Sequence, residues 1–223
     1  RGERKGIIDK SVREKICKNR KVIEDIVHEG KIVYGINTGF GPLCTTVISE
    51  EETRKLQYNL LLSHSVGVGE PVSPEISKLM LILKTHSLAF SFSGISENTI
   101  DRILWHIDHD IIPCVPSQGS VGASGDLAPL AHLFLPLIGM GKVFYKSAIE
   151  PAEKILGKFS MQPLKLGPKE GLALINGTQF MAANAIKFLD IFQNCLDNAD
   201  IIAAMNLEAM LGSVKTFNED IHN

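Results

Sequence analysis

The sequence lacks paired cysteines, long apolar segments and an excess of either charge. Its 223 residues include four cysteines, none in a C-x-x-C pair, so we expect no disulfide framework and predict a cytoplasmic location. The longest apolar run, residues 127–139, is interrupted by His132 and Pro136 and is too short to cross a bilayer, so no membrane partner is predicted. A formal net charge of −2 without a basic block argues against a nucleic-acid partner. The N-terminal residues lead into no apolar segment of the kind found in signal peptides.

Helical periodicity dominates the pattern that is present. Charged and apolar side chains alternate at helical spacing, and serine followed by proline or glutamate marks several helix starts. Residues 141–145 alternate like a strand instead and predict a small β-hairpin. The predicted helices cover residues 11–30, 49–64, 73–94, 96–113, 126–137, 151–160 and 178–211. The expected fold is all-α: a helical domain with long bundle helices, glycine-rich active-site loops and a small β-hairpin.

Glycine-rich loops separate these helices at residues 34–42, 116–125 and 176–177. The second loop contains Gly119-Ser-Val-Gly-Ala-Ser-Gly125, and three common uses of such a loop fit it poorly. It lacks the lysine of a phosphate-binding loop and the G-x-S-x-G spacing of a nucleophile elbow. A dinucleotide fingerprint needs a preceding strand, which the prolines before this loop disfavour. A flexible turn and a backbone cyclisation remain as interpretations.

Backbone cyclisation would convert Ala123-Ser124-Gly125 into an electrophile. Attack of the Gly125 nitrogen on the Ala123 carbonyl carbon closes a five-membered ring, and glycine has the least hindered amide and the widest choice of backbone angles. Dehydration at Ser124 then leaves an exocyclic methylene. The product is 4-methylidene-imidazol-5-one, and the N-terminus of the following helix would stabilise negative charge that develops on it.

Residues 119–132, Gly-Ser-Val-Gly-Ala-Ser-Gly-Asp-Leu-Ala-Pro-Leu-Ala-His, resemble the cofactor-forming signature of the aromatic amino acid ammonia-lyase family. Residues 34–41, Tyr-Gly-Ile-Asn-Thr-Gly-Phe-Gly, are similar to the family's tyrosine loop, and residues 170–178 are similar to its asparagine segment. The three segments stand in the family's order. The resemblance implies that Ala123-Ser124-Gly125 forms the methylidene-imidazolone, without a diffusible cofactor and without a metal.

The resemblance also implies roles for individual residues. Tyr34 is the predicted base that removes the β-proton of the bound amino acid, and Gly41 is predicted to bind substrate from the same loop; a loop tyrosine held by one hydrogen bond is the alternative. Asn176 is expected to hydrogen-bond the ring or the substrate, with a cap on the following helix as the alternative. Asp126 either orients the backbone for ring closure or caps and charges its own helix.

His64 is the residue expected to select the substrate. It follows Ser63, and this Ser-His pair resembles the histidine-specific branch of the family. One imidazole can hydrogen-bond another through complementary tautomers, so His64 is expected to hold the imidazole of L-histidine; a capping or core histidine is the alternative. The implied reaction is the elimination of ammonia from L-histidine to give trans-urocanate.

The family's pattern continues into a further helical half that residues 1–223 do not contain. We therefore expect these residues to be the N-terminal, cofactor-bearing portion of an ammonia-lyase that binds a small-molecule amino acid and forms a homotetramer. A tyrosine or phenylalanine ammonia-lyase, or an aminomutase, is the alternative within the family. Outside it, the alternatives are a catalytically silent helical fragment and a hydrolase that uses Ser124.

Overall fold

The computed structural model describes residues 5–33, 35, 36, 38 and 50–222 of the chain. Contacts between residues divide the chain into two units, residues 1–183 and residues 184–223. The described residues form eight α-helices and only short strands, so the all-α prediction is confirmed. The helices are α1 (Lys10–His28), α2 (Glu50–His64), α3 (Pro74–Ala89), α4 (Glu97–Asp108), α5 (Leu127–Phe134), α6 (Ala152–Lys158), α7 (Glu170–Ile175) and α8 (Gln179–Ala209), of which the last continues into the second unit.

Polar side chains cap the starts of α1, α3 and α4. Ser73 and Ser96 cap α3 and α4 as predicted, because each hydroxyl accepts a hydrogen bond from the backbone N–H three residues later. Asp9 caps α1 by accepting from the amide of Ser11, the residue at which the sequence analysis began this helix. Such bonds satisfy amide groups that the first turn of a helix leaves without partners.

Three helices end at least three residues earlier than the sequence analysis predicts. α4 ends at Asp108 rather than near Pro113, because the backbone at Asp110 has a φ of 53° and Ile112–Pro113 form a short strand. α5 ends at Phe134 and continues as a 3-10 helix over Leu135–Ile138, because Pro136 has no amide hydrogen and its ring crowds the preceding turn. α3 ends at Ala89 rather than near Gly94. The backbone at Ser91 has a φ of 66°, which a right-handed helix cannot include.

The first unit has one main apolar core, which α3, α4, α5 and α7 share. Met80 and Leu81 from α3, Leu130 and Phe134 from α5, and Leu174 from α7 are all fully buried in it. Burying a side chain of this size stabilises the fold by roughly 1.5–3 kcal/mol. The core therefore holds α3, α5 and α7 against one another, and these helices carry the parts of the candidate site.

Short antiparallel strands connect the helices. β1 (Val68–Pro71) pairs with β3 (Pro116–Gln118), and β4 (Lys142–Tyr145) lies between β2 (Ile112–Pro113) and β5 (Ala148–Pro151). The predicted hairpin corresponds to β4 and β5. The sequence analysis placed residues 116–118 in a loop, which is wrong because they pair with β1. That pairing joins the segment after α2 to the segment before the second glycine-rich loop.

The second unit consists of the rest of α8 and two short 3-10 helices, Val214–Phe217 and Glu219–Ile221. None of its described residues is buried. Large apolar side chains nevertheless project from it, including Phe188 and Phe192, whose rings stack 5.8 Å apart. Across the described ranges of the chain, no helix is both long enough and apolar enough to cross a bilayer.

Candidate active site

The second glycine-rich loop runs from the end of β3 to the start of α5 and exposes the predicted cyclising residues. Ala123 and Ser124 lie in a bend and are open to solvent, and Gly125 is only half-buried. The backbone has a φ of 67° at Gly122 and of 95° at Gly125. These left-handed angles favour glycine on both sides of Ala123-Ser124 and allow the tight bend between them.

Gly125 packs directly against the third glycine-rich loop. It forms a parallel bridge with Gly177, and the amide of Asp126 donates to the Gly177 carbonyl oxygen at 2.7 Å. A β-carbon on Gly125 would overlap that carbonyl group. Both the space and the backbone angle therefore require glycine at 125. This fits a methylidene-imidazolone built from residues 123–125, for which the amide at 125 must be unhindered.

Asp126 is fully buried and ties the loop to a second helix. Its Oδ1 atom accepts from the hydroxyl of Ser120 at 2.8 Å, and its Oδ2 atom accepts from the amide of Met181 at 3.0 Å. Although Asp126 precedes α5, its side chain makes no capping hydrogen bond to that helix. The carboxylate instead binds an amide in the first turn of α8, where a negative charge is favourable. Of the two predicted roles, capping of its own helix by the side chain is therefore wrong.

Asn176 closes α7, and its side chain is exposed. Its backbone amide donates to the carbonyl oxygen of Leu172 at 3.1 Å, as in the last turn of a helix. The alternative that Asn176 caps the following helix is wrong, because α8 begins only at Gln179. The side chain is thus left available at the edge of the loop that touches Gly125.

Lys84 is a buried cation beside this loop, and the sequence analysis missed it. It lies in the middle of α3 and is 2% exposed, and its Nζ atom donates to the Asn176 carbonyl oxygen at 2.6 Å. Removal from water lowers the pKa of Lys84 to about 7, since burial penalises the charged form. A sequence signal existed: Lys84 is the only charged residue between Leu79 and Leu88.

His64 is the last residue of α2 and is half-buried. Its Nδ1 atom lies 2.9 Å from the Leu60 carbonyl oxygen and 3.1 Å from the hydroxyl of Ser63. A carbonyl oxygen only accepts, so this contact places a proton on Nδ1; in the neutral tautomer that fits it, Nε2 carries the lone pair. Nδ1 therefore makes the contact with the helix end that the capping alternative predicts. Nε2 stays available to accept a hydrogen bond, as the predicted binding of a substrate imidazole would require.

The segment after His64 contacts both the second glycine-rich loop and α5. The amide of Gly67 donates to Nε2 of His132, on α5, at 3.0 Å. Burial lowers the pKa of His132, which favours the neutral ring that this bond requires. A β-carbon on Gly119 would lie 2.9 Å from the Cα atom of Gly67, so the two segments are in close contact.

The described site thus joins three of the predicted parts. Gly125 and Asp126 contact Gly177, the residue after Asn176, and the segment that follows His64 reaches the helix after the same loop. Tyr34 and Gly41 lie outside the described residues.

A family model described as aromatic amino acid lyase matches residues 1–223. The chain belongs to the aromatic amino acid lyase family. Its position within that family is indicated by individual relatives. It is 45% identical over 210 residues to histidine ammonia-lyase from Bacillus velezensis, covering 94% of this chain and 41% of the relative. The chain therefore spans about two fifths of the length of that relative.

Two solved structures share the fold of this chain. Histidine ammonia-lyase from Trypanosoma cruzi superposes with a TM-score of 0.91 at 38% identity, over 99% of this chain and 44% of the other. The ergothioneine-degrading enzyme ergothionase from Treponema denticola superposes with a TM-score of 0.92 at 28% identity, over 98% of this chain and 44% of the other. The similarity to histidine ammonia-lyases is thus found both in sequence and in structure.

Proposed function

We propose that the protein eliminates ammonia from L-histidine to give trans-urocanate, and that Ala123-Ser124-Gly125 supplies its electrophile. The observation that carries this proposal is the packing of Gly125 on Gly177. Only glycine fits at position 125, and the bend at Ala123-Ser124 that precedes it is exposed. Identity to histidine ammonia-lyases over most of the chain supports the same activity.

The proposed cofactor forms from the chain without any other reactant. The Gly125 nitrogen bonds to the Ala123 carbonyl carbon with loss of one water, and Ser124 loses its hydroxyl and α-hydrogen as a second water. When formed, the ring supplies an electrophilic methylidene carbon to which the amine of the substrate can add. The start of α5 contributes backbone amides and a favourable dipole next to this position.

The remaining roles are assigned to residues around the loop. Tyr34 is proposed to take the β-proton, and Gly41 to contact substrate from the same segment. The Nε2 lone pair of His64 is proposed to accept an N–H from the imidazole of the substrate, because Nδ1 is held by Leu60. The exposed amide of Asn176 is proposed to bind the ring or the substrate, and Asp126 to fix the loop during ring closure.

We also propose that the protein works as a homotetramer in the cytoplasm, without a diffusible cofactor. The apolar side chains exposed along residues 184–222 support association, because exposed apolar surface of this extent usually marks an interface. The cytoplasmic location stays a prediction that rests on four widely spaced cysteines without a C-x-x-C pair.

The decisive experiment combines intact mass with activity in the complete protein. Loss of two water molecules, mapped to residues 123–125, is expected in the wild type and not in Ser124→Ala. The Ser124→Ala variant should stay folded but release no ammonia. Ser117→Ala, a control on β3, should fold, lose two water molecules and release ammonia like the wild type. An unmodified wild-type mass would contradict the proposed cofactor and favour a catalytically silent domain.

A panel of amino acids separates the activities within the family. Histidine is expected to give urocanate and ammonia. Preference for tyrosine or phenylalanine would move the assignment to another branch, and a β-amino acid product would identify an aminomutase.

A further inference from the structure

Lys84 occupies a position that usually excludes a cation. It is 2% exposed in the main apolar core, on the helix that also inserts Met80, Leu81 and Leu88. Burial lowers its pKa, and no carboxylate among the described residues contributes to that shift. Burying an ammonium group costs several kcal/mol, and a well-packed apolar residue at such a position is often equally stable or more so. The fold alone therefore gives little reason for a lysine here.

Among the described residues, the group to which Lys84 donates belongs to the candidate site. Its Nζ atom donates to the Asn176 carbonyl oxygen at 2.6 Å. That carbonyl belongs to the peptide between Asn176 and Gly177. Gly177 in turn contacts Gly125, and its carbonyl oxygen accepts a hydrogen bond from the amide of Asp126. Gly177 is thus held through the peptide on its N-terminal side by Lys84, and through its own carbonyl oxygen by the second glycine-rich loop. When Lys84 is protonated, its bond to this carbonyl at the end of α7 is charge-assisted and stronger than a neutral one.

We propose that Lys84 is a positioning residue for ring closure: it fixes the Asn176–Gly177 peptide, against which Gly125 is held. This inference rests on the proposed function, because it concerns the rate at which the proposed cofactor forms. With Lys84 in place, the Gly177 carbonyl group confines Gly125 near the Ala123 carbonyl. Without it, the peptide can shift, and a misplacement of about 1 Å is enough to slow a reaction roughly a hundredfold.

The experiment follows the mass of newly synthesised complete protein over time, with circular dichroism as the measure of folding. Lys84→Met has a similar length but no donor, and we expect it to fold while losing the two waters about 10- to 100-fold more slowly than the wild type. Lys84→Arg retains the charge and the donors and should recover most of the rate. Lys78→Met is the matched control on the same helix, because Lys78 binds Asp110 near the surface; it should mature like the wild type.

The outcomes distinguish this inference from the function on which it rests. Normal maturation of the wild type together with equally fast maturation of folded Lys84→Met would overturn the role of Lys84 and leave the function intact. A wild type that never loses water would overturn both. If Lys84→Met does not fold, Lys84→Gln replaces it; failure of both to fold, with a folded Lys84→Arg, would show a purely structural role and also overturn the proposal.

Discussion

Gly125 and Gly177 lie in a parallel bridge so close that a side-chain carbon on Gly125 would overlap the Gly177 carbonyl group. The backbone at Gly125 also has a φ of 95°, where other residues are strained. We therefore expect Gly125→Ala to block ring closure, because the loop must move away from Gly177 to admit the methyl group. The intact mass of this variant should retain both waters.

Gly122→Ala is the control for backbone strain alone. Gly122 has a φ of 67°, but a β-carbon there would meet no described atom within 4 Å other than those of its chain neighbours. This variant should lose about 1 kcal/mol of stability and still form the ring. Equal maturation of the two alanine variants would contradict the packing argument.

Asp126→Ala should destabilise the protein by about 3 kcal/mol. The buried carboxylate accepts hydrogen bonds from Ser120 and Met181, and a bond to a charged group contributes roughly 1.5–3 kcal/mol. Urea unfolding gives the free energy. Asp101→Ala is the comparison, since Asp101 forms a half-exposed ion pair with Arg13 that is worth about 0–1 kcal/mol. If the two variants unfold at the same urea concentration, the Asp126 network contributes little.

His64→Leu tests the selection of substrate. If Nε2 of His64 binds the substrate imidazole, this variant should reduce kcat/KM for L-histidine about 10- to 100-fold, because a buried polar group of the substrate would lose its partner. Ring formation should be unchanged, so the loss of two waters is the internal control. His64→Gln retains a side-chain acceptor and should recover part of the activity. An unchanged preference for histidine in His64→Leu would rule out this role.

The sequence was sufficient for local features and insufficient for contacts between distant segments. The serine caps at Ser73 and Ser96 and the hairpin of β4 and β5 were predicted because their signals lie within a few residues. The pairing of β1 with β3 was not, because both strands are short and contain proline or glycine, and only tertiary packing brings them together.

The same distinction applies to the candidate site. The motifs identified the candidate cyclising residues, but the partners of Asp126 lie 6 and 55 residues away, and no periodicity indicates them. Lys84 binds a carbonyl 92 residues away. A single charge in an apolar helix signals a buried or functional residue, yet the group that it contacts can be found only in three dimensions.

Lys84 should make the stability of the protein depend on alkaline pH. In the folded protein the pKa of Lys84 falls from 10.5 to about 7 because the ammonium is buried. Between these two values the unfolded chain binds more protons than the folded one, so the free energy of unfolding should rise with pH. Below about pH 7 both states are protonated, and the full cost of burying the charge remains.

The expected contribution is roughly 3 kcal/mol between pH 7 and about pH 9.5, measured as the difference between wild type and Lys84→Met in urea unfolding. Taking the difference removes the titration of other groups, which the two proteins share. Lys78→Met should keep the slope of the wild type, because its ammonium lies near the surface beside Asp110. Parallel curves for wild type and Lys84→Met would mean that Lys84 keeps its proton across this range. The strong bond to Asn176 would then offset the cost of burial, and the cation would act on the site at all physiological pH values.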